Sequence, residues 1–566
     1  MSTIYGIDLG TTNSCVATLD QNGNPIVIKN QDENSSTLAS AIFFESENST
    51  IIGEAAKDYV ETDGDRVLQF FKRELGKPDQ YPPHMVFDQE YTPVILQSLL
   101  LKRMKQYTDD QGEEMKDVVI TVPAYFGFVE RDLTQKAGEA IGLNVLSVIN
   151  EPTAAALNYC HKLHPQNSTY LVYDLGGGTF DVSIIKMSVE QDENREEKSI
   201  IQTIATGGND QLGGKDWDDR LFEHMLNIAA EQVGMDPNDL DQDARQAVRS
   251  KVEKLKKKLT NNDSAREKVL IDGQRVEIVV SKDEFEDITK DLVDQTMGYL
   301  DVVIGNAEKK EGHPITIDLV LLVGGSSLMP MIRNTVEARF PGIVKIEDPH
   351  EAVAKGAAIY ASLKVDEIIH ASTDEENIIP EDPQPNPNPG PGPDKEVKDV
   401  SPRSFGPAVY FRDSFAPLGV VYLIDQIVKV GDTLGETNTR TYETSVDHQQ
   451  QIVFKVFETM NVEDTCIPCI TPDLDNPGEY VPQSTAEVDQ VKELGELALP
   501  LSGNDPKGTP VNVDFKAEQT GIYIKATLAN DLSVTNEAKI TFKGGLTEEE
   551  LKKQKELLER FAISAE

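Results

Sequence analysis

Up to about residue 366, short apolar runs alternate with stretches of helical period. The runs 118-VVITVP, 170-YLVYDLG and 319-LVLLVGG read as continuous apolar strands, while residues 130–141 and 243–259 carry a helical repeat. Unbroken apolar strands separated by helices predict a mainly buried, partly parallel sheet with helices on its faces. After about residue 400 the period falls to two. The runs 451-QIVFKVFET, 511-VNVDFKA and 521-GIYIKATLA alternate apolar with polar residues between turn signals, which predicts an antiparallel β-sandwich. Thr547 and Glu550 then form a capping box before a stripe of Leu551, Leu558 and Phe561, predicting one terminal helix.

The two textures meet at residues 379–394, IPEDPQPNPNPGPGPD, where seven prolines remove backbone donors and favour extended geometry. The expected domains are therefore 1–366, an acidic Pro-rich linker over 367–399, a β-domain over 400–545 and a helix over 546–566. Length agrees, because 566 residues exceed what one core organises. The 97 Asp+Glu against 54 Lys+Arg leave a net charge of −43, which repels phosphate backbones and speaks against nucleic acid as a partner. No run approaches the ~20 apolar residues of a membrane span, so no membrane partner is expected. A strand pattern begins at Ile4, leaving no room for a signal peptide, and four cysteines make no disulfide framework; a cytoplasmic address is expected.

Candidate chemistry centres on two hairpins, 7-IDLGTT and 173-YDLGGGT. In each, a strand ends on an aspartate and runs into a Gly-Thr turn whose amides can approach a phosphate closely. Gly10, Thr11, Thr12, Gly176, Gly177, Gly178 and Thr179 are the candidate phosphate ligands. Asp8 and Asp174 are placed to grip a hydrated Mg²⁺. Two such turns about 165 residues apart imply a duplicated fold with one loop from each half. A third element, 322-LVGGSS, can pass under a nucleoside. On the helix over 243–259, Glu253, Lys256, Lys257 and Thr260 form one polar stripe beside the apolar one, able to line an adenosine pocket.

These motifs in this order resemble the actin-like ATPase superfamily, and within it the DnaK-type 70-kDa heat-shock chaperones. The likeness covers nearly all of residues 1–362, through 4-IYGIDLGTTNSCVA, 70-FFKRELG, 118-VVITVPAYF, 149-INEPTAAAL, 172-VYDLGGGTFDVS, 212-LGGKDWD and 351-EAVAKGAA. The resemblance implies a multidomain chain: an α/β actin-like ATPase domain of duplicated ribonuclease-H-like halves, a C-terminal antiparallel β-sandwich, and a terminal helix as remnant of a lid. It implies ATP hydrolysis with Mg²⁺, and K⁺ as a companion ion. Lys72 matches the lysine at the γ-phosphate, Glu151 the carboxylate beside the attacking water, and Asp174 and Thr179 its partners on the second loop. Asp8 and Asp181 match acidic residues around Mg²⁺ and K⁺. The adenosine side would comprise Gly208, Glu253, Lys256, Lys257, Thr260, Gly324, Gly325, Ser326, Leu328 and His350, and Pro123 and Arg131 match an interdomain relay. Partners implied are unfolded or extended polypeptide segments, a J-domain co-chaperone and a nucleotide exchange factor.

The chain departs from this pattern in several places. Leu328 replaces an adenine-stacking arginine, Asn209 an aspartate, and His350 an acid. Lys395-Glu396-Val397-Lys398-Asp399 stands where the family has a leucine-rich docking strand, so little apolar area is available to dock this segment. Cys466 and Cys469 form a C-x-x-C in an acidic loop without a second pair nearby; a local staple or inert thiols are weighed against a redox role. Two rival functions remain: a nucleotide-switched scaffold with one dedicated partner and weak interdomain coupling, and a sugar kinase on the same superfold.

Overall fold

The computed structural model describes residues 3–564 apart from 113, 164–166, 192–196, 272, 376–394, 413–419, 460–468, 473–479, 483–490 and 541–545. The proline run after residue 379 and Cys466 lie outside the described residues, as does the side chain of Cys469. The chain divides into two compact units. The first holds Met1–Phe126, Leu133–Val397 and Leu546–Glu566; the second holds Gly127–Asp132 and Lys398–Gly545.

Two sheets of the first unit repeat one plan. In the first, Ile4–Asp8 pairs in parallel with Asp117–Val122, which pairs in parallel with Asn144–Asn150; on the other side follow Asn13–Leu19 and Pro25–Val27, antiparallel. In the second, Ser168–Leu175 pairs in parallel with Leu319–Val323 and that with Val344–Ile346, while Phe180–Gln191 and Glu197–Asn209 add antiparallel. Strand for strand the order is the same, and in both the central strand carries the loop aspartate, Asp8 or Asp174. The apolar runs seen in sequence are Asp117–Val122, Ser168–Leu175 and Leu319–Val323, the last so buried that it exposes none of its five residues. The duplication expected from two Gly-Thr turns is thus present as two matching sheets.

Two helices tie the halves together. Glu151–Leu163 follows the last strand of the first half, Ala352–Glu375 that of the second, and they pack on each other. Their backbones meet where side chains vanish: a Cβ on Gly356 would sit 1.7 Å from the carbonyl oxygen of Ala154, and one on Gly6 would sit 2.0 Å from Ala358 N. Around this contact Ala154, Ala155, Ala357, Val119, Val172 and Leu321 form one core shared by both halves. The helix Gln242–Leu259 buries Ala244, Val248, Val252, Leu255 and Leu259, as its period predicts, and Asp241 caps it by accepting from Ala244 N at 2.8 Å.

One expectation is corrected. Lys395–Lys398 is a strand on the edge of the second sheet, beside Glu197–Asn209. Apolar leucines are not what places it. A sheet edge offers unpaired main-chain groups to any extended segment, and Val397 alone packs against the core below. Lys395 is buried with its ammonium 3.5 Å from His161 Nδ1, and burial pulls its pKa below the ordinary lysine value. Residues 546–564 also pack within the first unit. Thr547 and Glu550 form the expected capping box of Glu548–Glu559, and Ala562–Ser564 adds in parallel to Ser49–Ile52.

The second unit is a sandwich of two antiparallel sheets. One runs Tyr480–Pro482, Cys469–Pro472, Val420–Ile424, Ser404–Arg412, Gln451–Thr459, Val491–Pro500; the other Thr437–Glu443, Pro510–Glu518, Gly521–Leu528, Thr535–Lys539. Inward positions such as Val456, Leu497, Val513, Phe515, Ile522 and Ile524 are buried at period two.

Because the helix contact leaves no volume for a methyl group, Gly356→Ala is expected to lower the melting temperature of the first unit by about 1–4 °C, as overpacking a core costs about 1–3 kcal/mol. Fluorescence of Trp217, the sole tryptophan and fully buried in this unit, reports it. An unchanged melting curve would refute the packing.

Candidate functional site

The two central strands end side by side, and a cleft of about 470 Å³ opens beyond them. Their Gly-Thr turns touch. A Cβ on Gly177 would meet Thr12 Oγ1 at 2.1 Å, and one on Gly178 would meet Thr11 Cγ2 at 2.3 Å. The first turn is braced by Ser40, whose Oγ donates to the Gly10 carbonyl at 2.8 Å and whose amide donates to Thr12 O at 2.8 Å. The second turn is braced by the first residues of helix Gly214–Val233: Gly214 N donates to Gly176 O at 3.0 Å and Lys215 N to Gly177 O at 2.7 Å.

At the floor of the cleft Lys72 donates to Glu151 Oε1 at 2.7 Å, with the lysine 3% and the glutamate 7% exposed. Lys72 comes from the short turn Phe71–Glu74, and Glu151 opens the helix after the last strand of the first half. Asp8 and Asp174 lie beside them. Burial, then the charge of Glu151, pushes the Asp8 carboxyl up to about 7, against the pull of Lys72. Asp174 is raised well above the usual carboxylate range by burial and by Glu151, Asp181 and Asp8. Asp181 is pushed up to about 8, by burial first and Glu151 second. These carboxyls share one lysine, so the floor holds more buried acid groups than it can neutralise, and the surplus keeps its protons. Among the described residues no three His, Cys, Asp or Glu stand close enough to grip a metal directly. The carboxyl oxygens of Asp8 and Asp174 are hard donors of the kind that suit a hydrated Mg²⁺.

The opposite wall is the stripe of helix Gln242–Leu259. Lys57, from the helix Glu54–Asp58, reaches across to Glu253 at 3.1 Å, and Lys257 holds the same carboxylate at 2.8 Å. Burial works to raise Glu253, but Lys57 and Lys257 overcome it and hold the group down to about 2. Lys256 donates to Gly214 O at 2.9 Å and to Asp218 Oδ2 at 2.8 Å. His350 packs against Gly325, and burial and then the Lys257 charge lower its pKa. Leu328 also faces this end, 37% exposed.

The cleft lining thus gathers Asp8, Gly10, Thr11, Thr12, Lys72, Glu151, Asp174, Gly176, Gly177 and Thr179 at one end, and Glu253, Lys256, Lys257, Thr260, Gly324, Gly325, Ser326, Leu328 and His350 at the other. Five residues singled out in the sequence stand off it. Gly178 turns its carbonyl to Arg73 Nε at 2.7 Å. Gly208 is paired to Asp181 within the sheet, where Phe180 O would block a side chain at 2.2 Å. Asp181 lies one layer back, accepting from Tyr125 N at 3.0 Å. Pro123 is buried at the end of its strand, and Arg131, in the second unit, donates to Gln519 Oε1 at 2.7 Å, which in turn reaches Asp399. Sequence reading missed Ser40, Lys57, Phe70, Lys215, Asp218 and Asn261. Lys215 and Asp218 lie in or beside the quoted LGGKDWD run; Ser40 and Lys57 carry no local motif.

The Hsp70 protein family profile matches residues 4–379. The chain is similar to the chaperone protein DnaK of Thermosipho melanesiensis, 36% identical over 370 residues, and to those of Thermotoga petrophila and Thermotoga maritima, each 37% identical over 371 residues. Each alignment covers 64% of this chain and 59% of the relative. No helix among the described residues is long and apolar enough to cross a membrane.

The raised carboxyls set a pH dependence. Folded Asp8 and Asp181 keep protons that the unfolded chain releases near its ordinary value of 3.8, so the folded state binds more protons from about pH 4 to about pH 8. In metal-free, nucleotide-free buffer, stability followed by Trp217 fluorescence should therefore fall as pH rises through that window, and Asp181→Asn should flatten the slope. A stability that rises with pH would contradict the charge balance described.

Proposed function

Because the chain belongs to the Hsp70 protein family, we propose that it is an ATP-dependent molecular chaperone that hydrolyses ATP to ADP and phosphate. The observation that carries this reading is the buried Lys72–Glu151 pair at the floor of a cleft framed by two Gly-Thr turns. Phosphoryl transfer to water requires positioning and charge neutralisation more than covalent help. Amides and hydroxyls of Gly10, Thr11, Thr12, Gly176, Gly177 and Thr179 would bind the β- and γ-phosphates. Lys72 would donate to the γ-phosphate and, with Glu151, orient the attacking water. The water oxygen bonds to phosphorus as the bond to the ADP oxygen breaks, and the water proton leaves to phosphate. Mg²⁺, held through waters by Asp8 and Asp174, would supply charge neutralisation between the phosphates. Asp181, behind the lining, would supply a further carboxylate once an arriving cation, K⁺ included, displaces its proton.

At the far end, Glu253, Lys256, Lys257, Thr260 and the Gly324–Gly325 turn would hold adenosine. Leu328 offers no guanidinium to stack on adenine, so this end binds weakly for its size. The β-sandwich would take extended apolar polypeptide segments. A J-domain co-chaperone, an exchange factor and a cytoplasmic address are proposed from the relatives. The docked strand Lys395–Lys398 weighs against an uncoupled scaffold, since it ties the segment leading to the sandwich onto the nucleotide-binding sheet.

Phosphate release by the full chain tests the reading. Lys72→Ala is expected to lower kcat at least about 100-fold while nucleotide affinity stays within a few-fold. Equal turnover by variant and parent would sink the assignment, and phosphorylation of a hexose would favour a kinase. Leu328→Arg should tighten ADP binding by about 0.5–2 kcal/mol through the restored cation–π contact; titration calorimetry reads this directly. Stimulation of turnover by an unfolded peptide would distinguish a chaperone from a dedicated scaffold.

A further inference from the structure

Residues 546–564 make a second junction that the proposed reaction does not use. The helix Glu548–Glu559 packs on the helix Pro93–Asp109 and buries Gln554 and Leu558. At its end Lys102 donates to the carbonyls of Leu558 at 2.6 Å and Phe561 at 2.9 Å, closing the helix terminus with a cation. Burial lowers the Lys102 pKa, with Glu559 opposing. Phe561 is 4% exposed and sits edge-on to Phe44 and Tyr91, at centroid distances of 6.1 and 6.0 Å. Beyond it, Ala562 N donates to Asn48 O at 2.9 Å, and Ala562, Ile563 and Ser564 pair with Ser49, Thr50 and Ile51.

The strand so added completes a four-stranded sheet in the order Ala562–Ser564, Ser49–Ile52, Ala41–Ser46, Val67–Gln69. One end of that sheet is the cleft. Ala41 follows Ser40, the brace of the first Gly-Thr turn, and pairs with Gln69. Gln69 is followed by Phe70, which holds a left-handed backbone at φ 62°, and then by Lys72. A non-glycine residue there costs free energy and persists only where its surroundings fix it. Those surroundings are the sheet and the helix Pro93–Asp109, which packs on the Phe71–Glu74 turn. Both also carry residues 546–564.

We propose that residues 546–564 are a clasp that positions Lys72: strand Ala562–Ser564 and the Phe561 ring, through the sheet and the Pro93–Asp109 helix, hold the Phe70–Lys72 arm against Glu151. Phe561 is then a positioning residue, two steps removed from the reacting atoms. This rests on Lys72 acting at the γ-phosphate as proposed above. The clasp is held by a short parallel strand, the Phe561 ring, the buried Leu558, and Lys102 and Lys136, the latter donating to Leu546 O at 2.7 Å.

The test uses the full chain with Ala562→Pro, which removes the donor to Asn48 O at an exposed side chain, and Phe561→Ala, with Phe561→Leu as the conservative partner. Amide exchange of residues 67–73 in the nucleotide-free protein is expected to rise about tenfold in the first two variants. Displacement of Lys72 should lower kcat about tenfold with KM for ATP within about twofold, and Phe561→Leu should recover most of both. Faster exchange confined to 48–52 and 546–564, with kcat unchanged, would reduce the segment to a cover and overturn the proposal. Unchanged exchange at 48–52 would overturn it too, by showing that the strand is not paired in solution. If the parent chain shows no ATP turnover while exchange at 67–73 still responds, the hydrolysis reading fails and the mechanical link stands.

Discussion

Asp8, Glu151, Asp174 and Asp181 meet beneath the protein surface with a single lysine among them, and this excess of buried carboxyls over cations governs much of the first unit. Buried carboxylates of like sign repel and keep their protons, as the raised values of Asp8 and Asp181 record. Such a cluster persists only on a scaffold stiff enough to resist the repulsion. The two matching sheets provide it, because each central strand is hydrogen-bonded on both sides and fixes its terminal aspartate from the main chain. On the proposed reading, the same unmatched carboxyls are what cations accompanying a nucleotide would neutralise.

Closing the two halves to that distance depends on missing side chains. The helices Glu151–Leu163 and Ala352–Glu375 cross where Gly356 faces the Ala154 carbonyl, and the two Gly-Thr turns interlock threonine against glycine. Above the floor the cleft is spanned by Lys57 and Glu253, an ion pair between elements nearly 200 residues apart in the chain. The carboxylate floor is buried; the far end is a polar rim on which Leu328 is partly open to solvent.

Two segments join this unit through main-chain pairing rather than through large apolar faces. Lys395–Lys398 takes the edge beside Glu197–Asn209, and Ala562–Ser564 takes the edge beside Ser49–Ile52. Short edge strands bury little area and their sequence pattern is weak, which suits contacts that form and break. Both lie on sheets that reach the cleft, one through the strand bearing Asp174 and the other through the arm bearing Lys72.

The central strands, the duplication and the two Gly-Thr turns were readable from residue order, because continuous apolar runs, Gly-Thr turns and the helical stripe of Ala244, Val248, Val252, Leu255 and Leu259 are local patterns with local causes. The likeness around Lys72, Pro123 and Glu151 carried the assignment further, to single residues. Other features had no local trace. Ser40 and Lys57 reach the cleft only because distant elements are brought to it, Asp181 and Gly208 leave its lining because they sit paired within the sheet, and Gly178 leaves it because its carbonyl faces Arg73. The docking of Lys395–Lys398 ran against an argument from side-chain hydrophobicity, since edge pairing is made by backbone groups that every sequence possesses. Phe561 likewise reads as one stripe position of a short helix, and only the fold surrounds it with Phe44 and Tyr91. Composition and period are properties of neighbours along the chain, whereas the excess charge at the floor, the glycine contacts and the edge strands are properties of residues far apart in it.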